Sequence, residues 1–210
     1  MMGLVLASSS PRRKKLMEEA GYHFRVMEPA SVEIHSGPPW ELVVENARRK
    51  ALSVEGGVND VVIGADTVVL CGGTVLGKPG DEEDARRMLH LQMRAPQKVY
   101  TGLAVHDAEK GKIVTGYEVS AVVMSGGAEA VETYISSGMW KGKAGSFGIQ
   151  DDSHLGIRVI SGEKDNVTGM PMVLLERLLS LIGFSRGGSD ISGDGSPVGR
   201  SVTGREGGSQ

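Results

Sequence analysis

"KVYTGLAVHDAEKGKIVTGYEVSAVVM", residues 98–124, decides the fold class. Lys98 to His106 alternates in the manner of a strand, Ala108 to Gly111 is a turn, and Lys112 to Met124 runs back as a second extended segment. Two such runs joined by so short a link form a β-hairpin, so these neighbours must be antiparallel. Upstream, "GLVLA" (3–7) and "DVVIGADTVVL" (60–70) are continuous apolar runs of the kind a strand shows when both of its faces are buried. Helical patterns fall between the strands, which gives an α/β fold. The hairpin makes its sheet mixed.

The helices carry their own punctuation. Ser10 reads as an N-cap with Pro11 at N1, opening a helix to about Ala20 that Gly21 ends. "PPWELVVENARRKALSVEGG" (38–57) reads as a second helix closed by Gly56 and Gly57. A third runs from about Asp81, with Asp84 at N3, to Met93. Further helices are expected at Ala128 to Ser136 and Pro171 to Ile182, with a glycine-rich stretch and the short strand "GIRVI" (156–160) between them. From Ser185 onward glycine, serine and charge dominate, and such a segment cannot offset the entropy of ordering. Residues 1–184 are therefore expected to form one domain and 185–210 a disordered Gly/Ser-rich tail.

A net charge of −3 gives no basic field and argues against nucleic acid as the partner. The single cysteine, Cys71, allows no internal disulfide and reads as a small core residue. "GLVLA" is too short for a secretory h-region, the cations follow it instead of preceding it, and no apolar run reaches transmembrane length. A reduced, cytoplasmic protein without membrane attachment is expected.

Four features carry chemistry. In "ASSSPRRKK" (7–15) the first turn of a helix is loaded with cations, where the backbone is already positive and acids belong. That arrangement suits an anion, because free N–H groups, hydroxyls and guanidinium forks converge. Ser8, Ser10, Arg12 and Arg13 read as an anion cradle, and Lys14 and Lys15 as a solvated face. In the second helix Val43, Ala47 and Val54 form an apolar stripe with Lys50 in its middle. Lys50 either snorkels along the stripe or reaches an anion at the edge of the core. "VVIGAD" runs a buried strand into Asp66, a position where α/β folds place ligands at strand carboxyl ends. A buried carboxylate there needs a cation. Glu33, in the loop after the first helix, is either a second ligand for Mg²⁺ or a solvated side chain. Finally, "GGTVLGKP" (72–79) fails as a P-loop because Pro79 stands where the hydroxyl should be, but Lys78 remains a phosphate contact. No nucleophile and no zinc-ligand spacing is present. Together these features suggest metal-assisted chemistry on a phosphate ester.

"LASSSPRRKKLMEEAG", "GADTVV", "GKP", "VYTG", "KAGSFGIQ" and "NVTGMP" occur in the order and spacing of the Maf family of nucleoside triphosphate pyrophosphatases, which the chain resembles over residues 3–183. The resemblance implies an inosine-triphosphatase-like α/β fold with a curved mixed sheet flanked by helices, and a homodimer. It implies hydrolysis of a nucleoside triphosphate to the monophosphate and pyrophosphate with Mg²⁺ or Mn²⁺. By motif position Ser8, Arg12 and Arg13 would grip phosphate, Glu33 and Asp66 would bind metal, and Asp66 would activate water. Lys50, Lys78 and Gln150 would complete the charged pocket. "KAGSFGIQ" with "NVTGMP" is similar to the branch acting on dTTP, UTP and related pyrimidine nucleotides. Gln97, Met139 and Gly142 stand where that pattern has histidine, glutamate and aspartate. An alternative of another class is a non-catalytic, nucleotide-sensing regulator of septum formation.

Overall fold

A computed structural model describes residues 3–151 and 155–184. The segment 185–210, expected to be a tail, lies outside the described residues. Seven strands form one mixed sheet: β1 (Gly3–Ala7), β2 (Arg25–Met27), β3 (Asp60–Cys71), β4 (Thr74–Leu76), β5 (Gln97–Asp107), β6 (Lys112–Val123) and β7 (Arg158–Ser161). The order across it is β2-β1-β3-β5-β6-β7, with β4 attached to the far end of β3. β1 is parallel to β2 and β3, and all other pairings are antiparallel. The hairpin stands as read, with Gln97 opposite Val122 and Asp107 opposite Lys112.

Among the described residues six α-helices pack on this frame: α1 (Pro11–Glu19), α2 (Pro39–Leu52), α3 (Glu82–Gln92), α4 (Ala128–Ser136), α5 (Lys164–Thr168) and α6 (Met172–Leu181). Among the described residues none is long and apolar enough to cross a membrane. The α1 helix ends as expected: the Gly21 N–H donates to Glu18 O, the Tyr22 N–H to Met17 O, and Gly21 takes a φ of +76°. Asp81 caps α3 by accepting from the Asp84 N–H. The α2 helix stops sooner than its glycines suggest. It ends at Leu52, and the Ser53 N–H closes its last turn on Arg49 O. Gly57 instead donates its N–H to the Asp60 carboxylate, which also pairs with Arg25. β2, β4 and α5 were not expected, since three to five residues are too few for a periodic signal.

The two faces of the sheet follow the period of two. Val5, Ala7, Val62 and Ala104 pack under α2 with Ala47, Ala51 and Val54. Leu4, Leu6, Ile63, Leu103 and Val105 pack on the other face against Met17 of α1 and Leu174, Leu175 and Leu178 of α6. β5 is buried on both faces from Val99 to Val105, so it does not show the alternation its sequence suggested. A third cluster joins Val69, Cys71, Val99 and Val122 to α3, α4, Phe147 and Val167. Cys71 is a free, buried core thiol.

Gly64 and Gly102 let α2 lie directly on the strands. A Cβ on Gly64 would stand 2.1 Å from Ala47 O, and one on Gly102 2.4 Å from the carbonyl of Val43. Helix backbone cannot yield as a flexible side chain can, so Gly102→Ala is expected to destabilise the fold by about 2–3 kcal/mol. Gly80→Ala, with nothing within 4 Å of its added methyl, should stay within about 0.5 kcal/mol of wild type. Urea unfolding of both variants checks this.

Candidate functional site

β1 ends at Ala7, opposite Gly64, and β4 joins β3 only from Val69. Between these points the edge of β3 is open, and a cleft of about 410 Å³ lies against it. Asp66 sits in that gap. It is therefore a mid-strand residue, and not at the carboxyl end of its strand as the sequence suggested. The strand whose carboxyl end opens the site is β1, which runs into Ser8, Ser9 and Ser10 and then α1. The cleft brings together Ser8, Ser10, Arg12, Arg13, Glu33, Lys50, Asp66, Lys78 and Gln150.

Side-chain parity gives the next step. Val62, Gly64 and Asp66 share the face of β3 that meets α2, and Lys50 projects from the buried stripe of that helix. Lys50 Nζ lies 2.6 Å from Asp66 Oδ1 and 2.7 Å from Glu33 Oε1. Lys50 and Asp66 are each only 6 % exposed. Lys50 does not snorkel; it bridges the two carboxylates, one from the sheet and one from the β2–α2 loop. Burial by itself would raise the Glu33 carboxyl, but the hydrogen bond and charge of Lys50, with Lys78 and His35 beyond, hold it below its ordinary value.

Asn46, one turn before Lys50, completes this side. Its Nδ2 donates to Asp66 Oδ2 at 3.1 Å and to Ile34 O at 3.0 Å, while its Oδ1 accepts the Ile34 N–H at 2.8 Å. It fixes both the free oxygen of Asp66 and the backbone beside Glu33. The sequence reading missed it, although its i, i+4 spacing to Lys50 was the available signal.

The two arginines behave differently. Arg13 donates to Ala65 O at 2.9 Å, Gly169 O at 2.8 Å, Ser8 Oγ at 3.1 Å and Thr67 Oγ1 at 3.1 Å. It ties the end of β1, the middle of β3 and the turn between α5 and α6 into one frame. Among the described residues Arg12 makes a single long side-chain bond, 3.4 Å to Gly142 O, and its guanidinium lines the cleft. Burial lowers both guanidinium pKa values. Ser10 occupies the N-cap position but its hydroxyl makes no capping bond, which leaves the first-turn N–H groups of α1 for an anion. Lys14 and Lys15 pair with Glu18 and Glu19 on the surface, as expected of a solvated face.

The facing wall is the glycine-rich segment around Gly142, Ala144, Phe147, Gly148 and Gln150. Gln150 and Lys78 are exposed at the rim. The wall is clipped from behind, where the Asp151 carboxylate accepts from Lys143 and Tyr134. Burial, then Asp151, pushes the Tyr134 phenol up, and burial draws the Lys143 ammonium down. The Gly145 N–H donates to Gly77 O at 2.9 Å, joining this wall to the loop of Lys78. Lys143, Tyr134 and Asp151 had no role in the sequence reading, because only the fold brings them together.

Among the described residues no group of three or more His, Cys, Asp or Glu converges. Glu33 and Asp66 form a pair of hard carboxylates, and one or two carboxylates with phosphate oxygens and water is the ordinary donor set of Mg²⁺. The donors fit such an ion, provided that phosphate supplies part of its shell.

A sequence model of the Maf-like protein family matches residues 3–182. A dTTP/UTP pyrophosphatase of Pelotomaculum thermopropionicum is 39% identical over 189 residues, covering 88% of this chain and 99% of its own length. Proteins of the same name from Elusimicrobium minutum and Thermococcus gammatolerans are 38% and 40% identical. The first covers 87% of this chain and 100% of its own length, the second 85% and 96%.

The frame made by Arg13 predicts that Arg13→Met costs about 3 kcal/mol, because buried carbonyls lose their donors. Arg13→Lys should recover only part of this, since one ammonium cannot reproduce a planar fork. Glu33 gives a pH test. Its depressed carboxyl stabilises the native state above about pH 4.5, and that contribution fades as pH falls through the folded value. Between about pH 7 and about pH 3, Glu33→Gln should lose less stability than wild type, as read by urea midpoints.

Proposed function

The chain belongs to the Maf-like protein family, and from that premise we propose that it is a nucleoside triphosphate pyrophosphatase acting on dTTP and UTP. It hydrolyses the bond between the α- and β-phosphates, releasing the nucleoside monophosphate and pyrophosphate. The observation that carries this reading is the meeting, in one cleft, of an anion cradle at the start of α1 with the carboxylate pair around Lys50.

Ser8, Ser10, Arg12 and the first-turn N–H groups of α1 bind phosphate oxygens, and Lys78 and Gln150 reach them from the rim. Their fixed positive charge offsets the charge that develops on the departing pyrophosphate. Asp66 orients the attacking water and accepts its proton, with Asn46 holding the carboxylate plane and Lys50 paired to its other oxygen. Glu33 and Asp66 would hold the divalent ion, Mg²⁺ or Mn²⁺, which when bound lowers the pKa of water and neutralises phosphate charge. No covalent intermediate is needed, in keeping with a buried Cys71 away from the cleft lining. A homodimeric state comes to this proposal from the family resemblance, and cytoplasmic residence from the single cysteine and the lack of a secretory pattern in the sequence. The net charge of −3 argues against non-specific nucleic-acid binding.

Asp66→Asn tests the reading. Pyrophosphate release from dTTP and UTP should fall by about 10²–10⁴-fold, with the circular-dichroism spectrum of the wild type retained. Turnover surviving at wild-type levels would sink the assignment of Asp66. A panel with CTP, 5-methyl-UTP, 7-methyl-GTP and ITP checks the base preference. Nucleotide bound by the wild type without any hydrolysis would instead favour the regulator of septum formation.

A further inference from the structure

A cation, the Lys50 ammonium, sits between the two carboxylates. Lys50 Nζ is within hydrogen-bond distance of Glu33 Oε1 and Asp66 Oδ1, and Asn46 engages the remaining oxygen of Asp66. A divalent ion approaching Glu33 and Asp66 meets that ammonium at close quarters, in a setting where water screens little. The field of the whole cleft points the same way. Among the described residues Arg12, Arg13, Lys50, Lys78 and Lys141 line it against only Glu28, Glu33 and Asp66, and the positive end of α1 adds to the cations. Free divalent ions are repelled by such a site, whereas a triphosphate is drawn to it, and a metal–triphosphate complex is still a net anion.

We propose that Lys50 serves as an internal counter-ion that occupies the metal seat of the free protein, so that the divalent ion enters as its complex with the nucleotide and not beforehand. The proposal rests on the pyrophosphatase reading of the cleft, and it assigns Lys50 a role in binding order in addition to charge.

Titration of nucleotide-free protein with Mn²⁺ alone, followed by the electron paramagnetic resonance of the free ion, reads the seat without turnover. Wild type should bind Mn²⁺ weakly, and Lys50→Met about tenfold or more tightly. The gain should vanish in Lys50→Met/Asp66→Asn. Equal affinity in wild type and Lys50→Met overturns the proposal, and so does the absence of binding in both. Should Lys50→Met not fold, the wild type alone decides. Affinity for Mn²⁺ on the order of micromolar without nucleotide overturns it. Weak binding of the ion, beside tight binding of Mn²⁺ with the non-hydrolysable α,β-imido analogue of dUTP, supports it. Pyrophosphate release by the same preparation separates the two readings. Release present with no gain in Lys50→Met strikes the binding order alone, and release absent strikes the enzymatic function whatever Mn²⁺ does.

Discussion

A lysine on the apolar stripe of a helix pressed against a sheet must find negative charge, and the architecture of the cleft follows from where Lys50 finds it. The helix lies so close because Gly64 and Gly102 remove the side chains that would hold it off. One turn beyond Ala47, which touches Gly64, Lys50 meets Asp66, two residues along the same strand face. Such a pair is a poor source of stability, since two charges are taken out of water to form it. Its effect is chemical. It places a paired carboxylate in the middle of a buried strand, at the place where the strand edge is open.

The opposite side of the cleft depends on a second division of charge. Arg12 and Arg13 are adjacent and chemically identical, yet among the described residues Arg13 directs its fork to four acceptors from three segments while Arg12 meets one. The rigid arginine defines the position of the open one. Ser8 belongs to the same frame, because its hydroxyl accepts from both Arg13 and the Ser10 N–H. A cradle on loop residues alone would be loose; fastened to β3 and to the turn before α6, it stays aligned with the carboxylates across the cleft.

Features governed by neighbours in sequence were legible in advance. The hairpin, the cap at Asp81 and the Schellman ending of α1 depend on a few consecutive residues, and they were read correctly. The buried stripe holding Lys50 was also visible, but two outcomes for the lysine stood level because the partner lay 16 residues away on another element. The carboxyl-end reading of Asp66 erred because "DTVVL" continues the strand, and only the lengths of β1 and β4 reveal the gap at its edge. The end of α2 was misplaced for a related reason. Gly56 and Gly57 look like a helix stop, yet they lie against Asp60 and its ion pair with Arg25. Asn46 and the clip of Lys143, Tyr134 and Asp151 depend wholly on contacts between distant segments.

The basic start of α1 also has a physical account that separates its cations. Lys14 and Lys15 each have an acid one turn on, Glu18 and Glu19, so the helix compensates them itself. Arg12 has no salt-bridged acid among the described residues, and its charge sits at the positive end of the helix dipole. Burial adds a desolvation cost that lowers its pKa, and Asp151, behind the glycine-rich wall, opposes that shift. On the proposed function, an anion between Arg12, the first turn of α1 and Lys78 would offset these penalties. The charge imbalance is thus confined to the one turn that faces the cleft, while the rest of the helix is balanced against itself. On that function a locally unfavourable turn persists because its charge serves an anion and not the stability of the helix.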